Sequence, residues 1–243
     1  MAITRPREKA EETIALVEAR GWKALIVPTV ELRPRKKALE GIDIKDFDWL
    51  VLTSSAGAEL ALSHFGEDAR DVKIACIGPK TAAEAERRGY DVAFTPTKYE
   101  AEALAEELLS SGAEGKKILV ARASSGREVL VQVLRKRADV TEVSLYDTVM
   151  PRDTGGIEEF RGALRKKELD AVIFTSSMAA RNLLAHLRKG EKHAINALAV
   201  CAIGPITARV LREEGIKVDA VPEEYTVKAC LEELEKTRRR RRN

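Results

Sequence analysis

Apolar and polar positions along this chain form blocks that predict strands followed by helices. Short, fully apolar runs rich in β-branched residues, such as 50–52 and 172–174, are typical of strands buried on both faces. Amphipathic stretches follow these runs, and Gly21, Gly89 and Gly215 stand where three of the predicted helices would end. The predicted elements include a helix at 126–137 and a strand at 217–220. Because strands that alternate with helices form parallel sheets covered on both sides, the pattern predicts an α/β fold.

The same pattern occurs twice in the chain. Residues 47–65 and 169–187 each contain an aspartate, an apolar run, Thr-Ser-Ser and an amphipathic stretch. Residues 74–90 and 200–216 each contain an apolar run that leads into Ile-Gly-Pro. The Thr-Ser-Ser blocks are 122 residues apart and the Ile-Gly-Pro blocks 126, whereas a solenoid repeat is about 20 to 50 residues long. We therefore expect two copies of one domain, with a ligand between them.

The order of strands predicts that the two copies are not consecutive. The run at 118–122 resembles the one at 2–5, but it follows its Ile-Gly-Pro block instead of preceding it. If each domain needs one such strand, the first strand and helix belong with the C-terminal half. We expect a discontinuous domain of residues 1–33 and 148–237 and an inserted domain of residues 36–144. The chain would then cross between domains twice, which would make a natural hinge.

Composition and charge narrow the class of protein. The chain is 44% hydrophobic and 33% charged, as globular proteins are. It has no apolar run near the roughly 18 residues that span a bilayer, nor the apolar region of a signal peptide, so we expect a cytoplasmic protein. The net charge is +3, and it would be −2 without the five arginines at 238–242. We expect residues 238–243 to be a disordered, solubilising tail; a tail that binds nucleic acid or a membrane surface is the alternative.

Several signatures of familiar chemistry are missing. The sequence contains no GxxxxGK[ST] or GxGxxG loop for nucleotides and no GxSxG elbow for a serine nucleophile. Its histidines lack metal-like spacing, and its cysteines form no CxxC pair, so we expect the cysteines to be reduced and structural. We therefore expect no metal and no organic cofactor. The histidines are His64, His186 and His193, and the cysteines are Cys76, Cys201 and Cys230.

Four repeated polar motifs stand where predicted strands end and helices begin. In open α/β sheets, ligands bind beyond the carboxyl ends of the strands. A helix N-terminus offers unpaired N–H groups and a partial positive charge, and capping alone would explain any one motif. The same device at four places indicates a site for a ligand with many carboxylates or phosphates. The candidate binding residues are Ser54, Ser55, Thr81, Ser176, Ser177 and Thr207, joined by Arg5 and Arg122 at matched strand ends and, more weakly, by Arg7.

Together these motifs resemble the uroporphyrinogen-III synthase (HemD) family. The resemblance covers the chain up to the arginine tail and includes ITRP at 3–6, both Thr-Ser-Ser units, both Ile-Gly-Pro-x-Thr-Ala units, Pro96–Tyr99, Pro222–Tyr225 and LYDTVMP at 145–151. It implies two similar parallel-sheet, flavodoxin-like domains of the HemD type, joined by a two-stranded hinge. It also implies an active site in the cleft between the domains.

The resemblance implies an enzyme of heme, siroheme and cobalamin biosynthesis, a cyclising hydro-lyase without a cofactor. It would dehydrate the linear tetrapyrrole hydroxymethylbilane and close it to uroporphyrinogen III with inversion of ring D. Loss of water leaves an electrophilic azafulvene, which the substituted carbon of ring D attacks to give a spiro intermediate that recloses inverted. Because uncatalysed closure gives the type I isomer, the enzyme would mainly hold one folded conformer.

The resemblance also assigns roles to residues. It makes Tyr146, in Tyr146-Asp147-Thr148, the favoured acid or orienting group for the leaving hydroxyl, although packing at the hinge would also explain an aromatic residue there. Since tyrosine is a weak acid at neutral pH, its loss should slow the reaction without abolishing it. Product contacts would fall on Thr81, Thr207 and the two Ser-Ser loops.

Expected partners follow from the same resemblance, and two other functions remain open. We expect a monomer that takes its substrate by hand-over from hydroxymethylbilane synthase, with no membrane or nucleic-acid partner. One alternative is a non-catalytic, two-lobed binding or regulatory protein for a polycarboxylate, which would bind product without turning over substrate. The other is a nucleic-acid-associated protein, whose salt-sensitive binding would vanish without the arginine tail.

Overall fold

The computed structural model describes residues 1–126 and 128–242, with the backbone alone described for 238–242. The chain divides into two compact units. Unit 1 contains Met1–Glu31 and Val149–Asn243, and unit 2 contains Leu32–Thr148. The sequence places the first crossing between residues 33 and 36 and the second between residues 144 and 148. In the structure, the first crossing follows Glu31 and the second follows Thr148.

Strands and helices alternate along most of the chain. The strands are β1 (Ala2–Thr4), β2 (Leu25–Ile26), β3 (Glu31–Pro34), β4 (Trp49–Leu52), β5 (Lys73–Cys76), β6 (Val92–Phe94), β7 (Lys117–Ala123), β8 (Asp139–Val149), β9 (Ala171–Phe174) and β10 (Ala199–Ala202). The helices are α1 (Ala10–Glu18), α2 (Ser55–Phe65), α3 (Pro79–Arg87), α4 (Ala101–Leu108), α5 (Val129–Leu134), α6 (Gly155–Arg165), α7 (Ser177–Ala185), α8 (Lys189–Ile195), α9 (Pro205–Glu213) and α10 (Val227–Arg242). Short 3₁₀ turns lie at Arg7–Lys9, Ile44–Asp46 and Gly66–Asp71, and a π turn at Leu109–Ala113.

Unit 1 contains a parallel sheet in the order β10-β9-β1-β2. Cys201 adds a parallel bridge to Ala220 at the edge beyond β10. Counted along the chain, these five strand positions have the order 2-1-3-4-5, which is the flavodoxin-like order. The sequence predicted a full strand at 217–220, and the structure reduces it to this bridge. The Asp219 carboxylate accepts the Val200 N–H at 3.0 Å, which interrupts a regular ladder.

Unit 2 contains a six-stranded sheet in the order β3-β8-β7-β4-β5-β6, parallel from β8 to β6. If β7 is taken as its first strand, the order β8-β7-β4-β5-β6 is again 2-1-3-4-5. The unit is therefore a circular permutation of the same design, with its first strand placed late in the chain. Both chain crossings lie in the added strand β3 and in its partner β8. Two similar parallel-sheet domains are thus confirmed.

Each sheet is buried on both faces, as the apolar strand sequences predict. Along β9, Val172 and Phe174 join one core cluster, while Ala171 and Ile173 join the other. Helices α6 to α9 cover the first face, and α1 and α10 cover the second. In unit 2, the side chains of β4 alternate in the same way. Leu50 and Leu52 join the core under α2 and α3, and Trp49 and Val51 join the core under α4 and α5. Successive strand residues point to opposite faces, so one apolar run supplies two cores.

Other local predictions were incomplete. Helices α6 and α8 were not predicted, and α5 is shorter than the predicted 126–137, because Gly126 lies in a turn against the Arg122 guanidinium. Backbone of the basic tail continues α10 to Arg242, but the tail's side chains and Asn243 lie outside the described residues, so its predicted disorder remains a prediction. In the described part of the chain, no helix is both long and apolar enough to cross a membrane.

Candidate active site

The clearest polar contact at a strand end joins Ser54 and Tyr146 in unit 2. Ser54 follows β4 and is the N-cap of α2, where its Oγ accepts the Gly57 N–H at 3.0 Å. The Tyr146 Oη lies 2.9 Å from the same Ser54 Oγ, and either hydroxyl can be the donor. The tyrosine hydroxyl is therefore linked through one serine to the positive end of a helix.

Tyr146 also packs in the core of unit 2. Its side chain is 5% exposed and belongs to the cluster under α2 and α3. The two roles considered from sequence, packing and hydrogen bonding, therefore occur together in one side chain. The ring fixes the position of the hydroxyl, because a buried aromatic side chain has little rotamer freedom.

Asp147 holds the neighbouring backbone in place and is ionised. Arg35 donates to both carboxylate oxygens, at 3.0 Å and 2.7 Å, and Ser124 donates to one of them at 2.6 Å. The Arg35 hydrogen bond, followed by that of Ser124, lowers the pKa of Asp147 to about 2. Asp147 therefore carries no proton to give at neutral pH. Sequence reasoning missed Arg35 and Ser124, since nothing in the sequence links positions so far apart.

The two polar loops of unit 2 are joined to each other. Ser55 donates its hydroxyl to the Lys80 carbonyl at 3.0 Å, which ties the start of α2 to the first turn of α3. Gly78 is the N-cap of α3 and Pro79 occupies its first position. Thr81 is buried in this turn, as Thr207 is in the matching turn of α9. The contact of either threonine with a ligand stays a prediction.

In unit 1, the matching loop is fixed by its neighbour in the sheet. Ser176 is the N-cap of α7 and accepts the Ala179 N–H at 3.0 Å. Thr175 donates its N–H to the buried Thr4 hydroxyl at 3.1 Å and its own hydroxyl to the Thr4 carbonyl. Ser177 begins the helix and is partly exposed. Both units therefore use the same N-cap, but Ser54 has the additional Tyr146 contact.

The two candidate arginines occupy matched positions and differ in their partners. Arg5 follows Thr4, which pairs with Phe174 at the end of β9. Arg122 follows Ala121, which pairs with Leu52 at the end of β4. Arg122 is buried, and its guanidinium is engaged by Glu142, with Nε to Oε1 at 2.6 Å. A ligand carboxylate would have to compete with this ion pair.

Arg5 keeps a donor without a protein partner in the described part of the chain. Its Nε is buried and has no hydrogen-bond partner among the residues that the structure describes. An unsatisfied buried donor costs about 1–3 kcal/mol, and a carboxylate is the group that a guanidinium binds best. Arg5 is therefore the stronger carboxylate-binding candidate of the two. The weaker candidate Arg7 pairs with the exposed Asp153.

The residues that sequence analysis set aside lie away from these loops. His64 is exposed in the last turn of α2, and the His186 Nδ1–H donates to the Asn182 carbonyl, four residues earlier, at 2.8 Å. Over the described residues, His, Cys, Asp and Glu side chains form no group of three or more that could hold a metal ion. All three cysteines are free and buried, and burial raises the pKa of the Cys76 thiol to about 12.

The chain is similar to known proteins along nearly its whole length. A relative from Methanothermobacter thermautotrophicus, provisionally named uroporphyrinogen-III synthase, is 36% identical over 245 residues, which are 96% of each chain. The uroporphyrinogen-III synthase of Synechococcus elongatus is 30% identical over 247 residues, 96% of this chain and 92% of that protein. The crystal structure of uroporphyrinogen-III synthetase from Helicobacter pylori has a TM-score of 0.70 at 20% identity and covers 97% of this chain and 98% of its own, which supports the fold.

A family model extends these pairwise similarities. The model for uroporphyrinogen-III synthase HemD matches residues 11–232, which include both units and every candidate residue except Arg5 and Arg7. The resemblance inferred from the sequence is thereby confirmed. The chain belongs to the uroporphyrinogen-III synthase (HemD) family, whose function lies in tetrapyrrole biosynthesis.

Proposed function

We propose that this chain is a cyclising hydro-lyase that converts hydroxymethylbilane to uroporphyrinogen III with inversion of ring D. Membership of the family supports the substrate. The observation that carries the chemistry is the contact between the Tyr146 and Ser54 hydroxyls, 2.9 Å apart at the N-terminus of α2.

In this proposal Tyr146 donates its O–H toward the hydroxymethyl oxygen that leaves as water. Ser54 would donate to the tyrosine oxygen while accepting the Gly57 N–H, so that successive hydrogen bonds begin at the helix end. A hydroxyl whose oxygen already accepts a hydrogen bond is a better donor, because such bonds polarise one another. Departure of water leaves the azafulvene, ring D attacks through its substituted carbon, and the spiro intermediate fragments and recloses to the type III isomer.

Carboxylate recognition is proposed for residues of both units. The substrate carries eight carboxylates, and Arg5 offers a buried donor that lacks a protein partner among the described residues. The helix N-termini after Ser54 and Ser176 offer N–H groups and partial positive charge. The remaining proposed contacts are Ser55, Thr81, Arg122, Ser177 and Thr207.

Product analysis tests the proposal directly. Hydroxymethylbilane is generated in the assay by its own synthase, and the oxidised type I and type III isomers are separated by chromatography. We expect type III to predominate, against type I in the enzyme-free control. Type I alone, from folded protein, would exclude the proposed reaction.

The proposal includes a monomeric, cytoplasmic enzyme that receives its substrate from hydroxymethylbilane synthase. Light scattering gives the mass in solution. Dilution of a coupled assay tests hand-over, since a transferred substrate would escape competing closure to type I even when both proteins are dilute.

A further inference from the structure

Two tyrosines remain largely exposed at matched positions in the two units. Tyr99 is 62% exposed and Tyr225 is 59% exposed. They end the repeated segments Pro96–Tyr99 and Pro222–Tyr225, and they lie 126 residues apart, as the Ile-Gly-Pro motifs do. Each unit therefore places one aromatic ring in solvent at the same place in its fold.

Each ring lies against the glycine that caps a helix. A Cβ built on Gly78 would lie 3.3 Å from the Tyr99 ring, and one built on Gly204 would lie 3.3 Å from the Tyr225 ring. The φ angles of these glycines, −178° and −168°, are extended and open to any residue. The backbone conformation does not require glycine at either position, but a Cβ there would be in tight contact with the ring.

The tyrosine rings lie beside helix ends that suit an anion. Gly78 and Gly204 are the N-caps of α3 and α9, each of which has proline at its first position. N–H groups in the first turn of a helix have no partner within the helix. An exposed tyrosine ring and the N-terminus of a helix are therefore adjacent in both units.

Unit 1 exposes further apolar side chains at this edge. Ile206, in the first turn of α9, is 54% exposed, and Met178, in the first turn of α7, is also exposed. Because β9 and β10 pair in parallel, α7 and α9 begin at the same edge of the sheet. With Tyr225, three exposed side chains therefore follow the carboxyl ends of neighbouring strands in unit 1, where single exposed apolar residues would need no explanation.

We infer that Tyr99 and Tyr225 are substrate-positioning residues that pack against pyrrole rings. Each pyrrole of the substrate is a flat apolar ring with carboxylate side chains. A tyrosine ring would contact its face while the adjoining helix N-terminus binds a carboxylate. The identity of the ligand rests on the proposed function. The place of each tyrosine ring beside a helix N-terminus rests on its close approach to Gly78 or Gly204.

Substitution of each tyrosine tests the inference. We expect Tyr225→Ala and Tyr99→Ala to raise KM about 3- to 10-fold with little change in kcat, since an aromatic contact of this size is lost. Tyr→Phe at either position should keep the KM of the unmodified protein, because the ring and not the hydroxyl makes the contact. Both rings are exposed, so Tm should change by no more than about 2 °C. An unchanged KM in both alanine variants, or a phenylalanine variant as weak as alanine, would overturn the inference.

Substitution of the glycines gives an independent test. Gly204→Ala should raise KM with Tyr225 intact, but by less than Tyr225→Ala, because a Cβ 3.3 Å from the Tyr225 ring makes the ring shift by a few tenths of an ångström. The double variant Gly204→Ala with Tyr225→Ala should be no worse than Tyr225→Ala alone, since both changes remove one contact. Glu213→Ala, at the opposite end of α9, is the matched control and should leave KM unchanged. Additive losses would show that the glycine acts separately from the tyrosine.

Failure of this inference can be told apart from failure of the proposed function. If the unmodified protein forms type III isomer and the tyrosine variants match it, only the inference fails. If the unmodified protein forms no type III isomer, anaerobic titration with uroporphyrinogen III decides the inference. Weaker binding by the alanine variants would then support it, and equal binding, or no binding by any form, would overturn it.

Discussion

At the scale of single residues, the proposed chemistry depends on how each polar group is satisfied. Tyr146 has a buried ring and a hydroxyl held by Ser54. Arg5 has an unsatisfied donor among the described residues, while Arg122 is engaged by Glu142. Residues that look equivalent in the repeated sequence therefore have different capacities to bind a ligand.

Tyr146→Phe should lower kcat about 100-fold and leave KM nearly unchanged, because a positioned proton donor contributes roughly 100- to 10,000-fold and the ring is kept. Rates are measured with hydroxymethylbilane formed in the assay. Tyr90→Phe is the matched control, since Tyr90 is also buried in unit 2 but donates to the Gly66 carbonyl at 2.9 Å, at the C-terminal end of α2. Equal kcat in both variants would remove Tyr146 from the reaction.

Arg5→Met and Arg122→Met should separate binding from stability. Arg5→Met should raise KM about tenfold without lowering the free energy of unfolding, since it removes a buried Nε that had no protein partner among the described residues. Arg122→Met should lower the free energy of unfolding by about 2–4 kcal/mol, because Glu142 loses its buried partner and keeps the more distant Arg135 at 3.7 Å. Urea titrations and steady-state kinetics measure both. The reverse pattern would contradict the assignment.

At the scale of elements, β8 is the strand on which the candidate site depends. It carries Tyr146, pairs with β7 and with β3, and contains the second chain crossing. Asp147 fixes its end through Arg35, which follows β3, and through Ser124, which follows β7. The position of the Tyr146 hydroxyl is therefore set by contacts among three strands.

The ion pair at the end of β8 predicts a pH dependence of stability. The pKa of Asp147 is lowered from 3.8 to about 2, first by the Arg35 hydrogen bond. A lowered pKa means that this stabilisation is complete above about pH 4 and is lost as the pH falls toward 2. Urea unfolding midpoints should therefore fall less between pH 4 and pH 2 in Asp147→Asn than in the unmodified protein. Equal slopes for the two proteins would show that the pair adds no pH-dependent stability.

At the scale of the whole molecule, the chain uses one sheet design twice, with the strand order of unit 2 permuted in sequence. Every sheet is covered on both faces, so each unit has two apolar clusters of its own. Cys76 lies in unit 2, and Cys201 and Cys230 lie in unit 1, all buried.

The cysteines should therefore react only when their units unfold. A hydrogen bond with Cys230, together with burial, raises the pKa of Cys201, and burial raises that of Cys76 to about 12. Since the thiolate is the reactive form, the native protein should not react with a thiol reagent at pH 8, and the protein in guanidinium should react at three thiols. Rapid labelling of native protein would contradict the described burial.

Prediction from sequence was most accurate where the pattern of apolar residues was regular. Apolar runs predicted β4, β5, β9 and β10, and the glycine stops predicted where α1, α3 and α9 end, since these depend on local backbone preferences. Helices α6 and α8 were missed, and the strand at 217–220 was overestimated, because their limits depend on contacts with distant residues. An example is Asp219, whose carboxylate accepts a hydrogen bond from the Val200 N–H.

The sequence by itself determined the fold class, the duplication and the family, because apolar periodicity and motif order are properties of the chain written along its length. Tertiary structure alone decided how the candidate residues are used. It brought Tyr146 to Ser54, gave Arg122 a partner and left the Arg5 Nε without one among the described residues. Such pairings join residues far apart in sequence, so their energies depend on distances and burial that no local pattern contains.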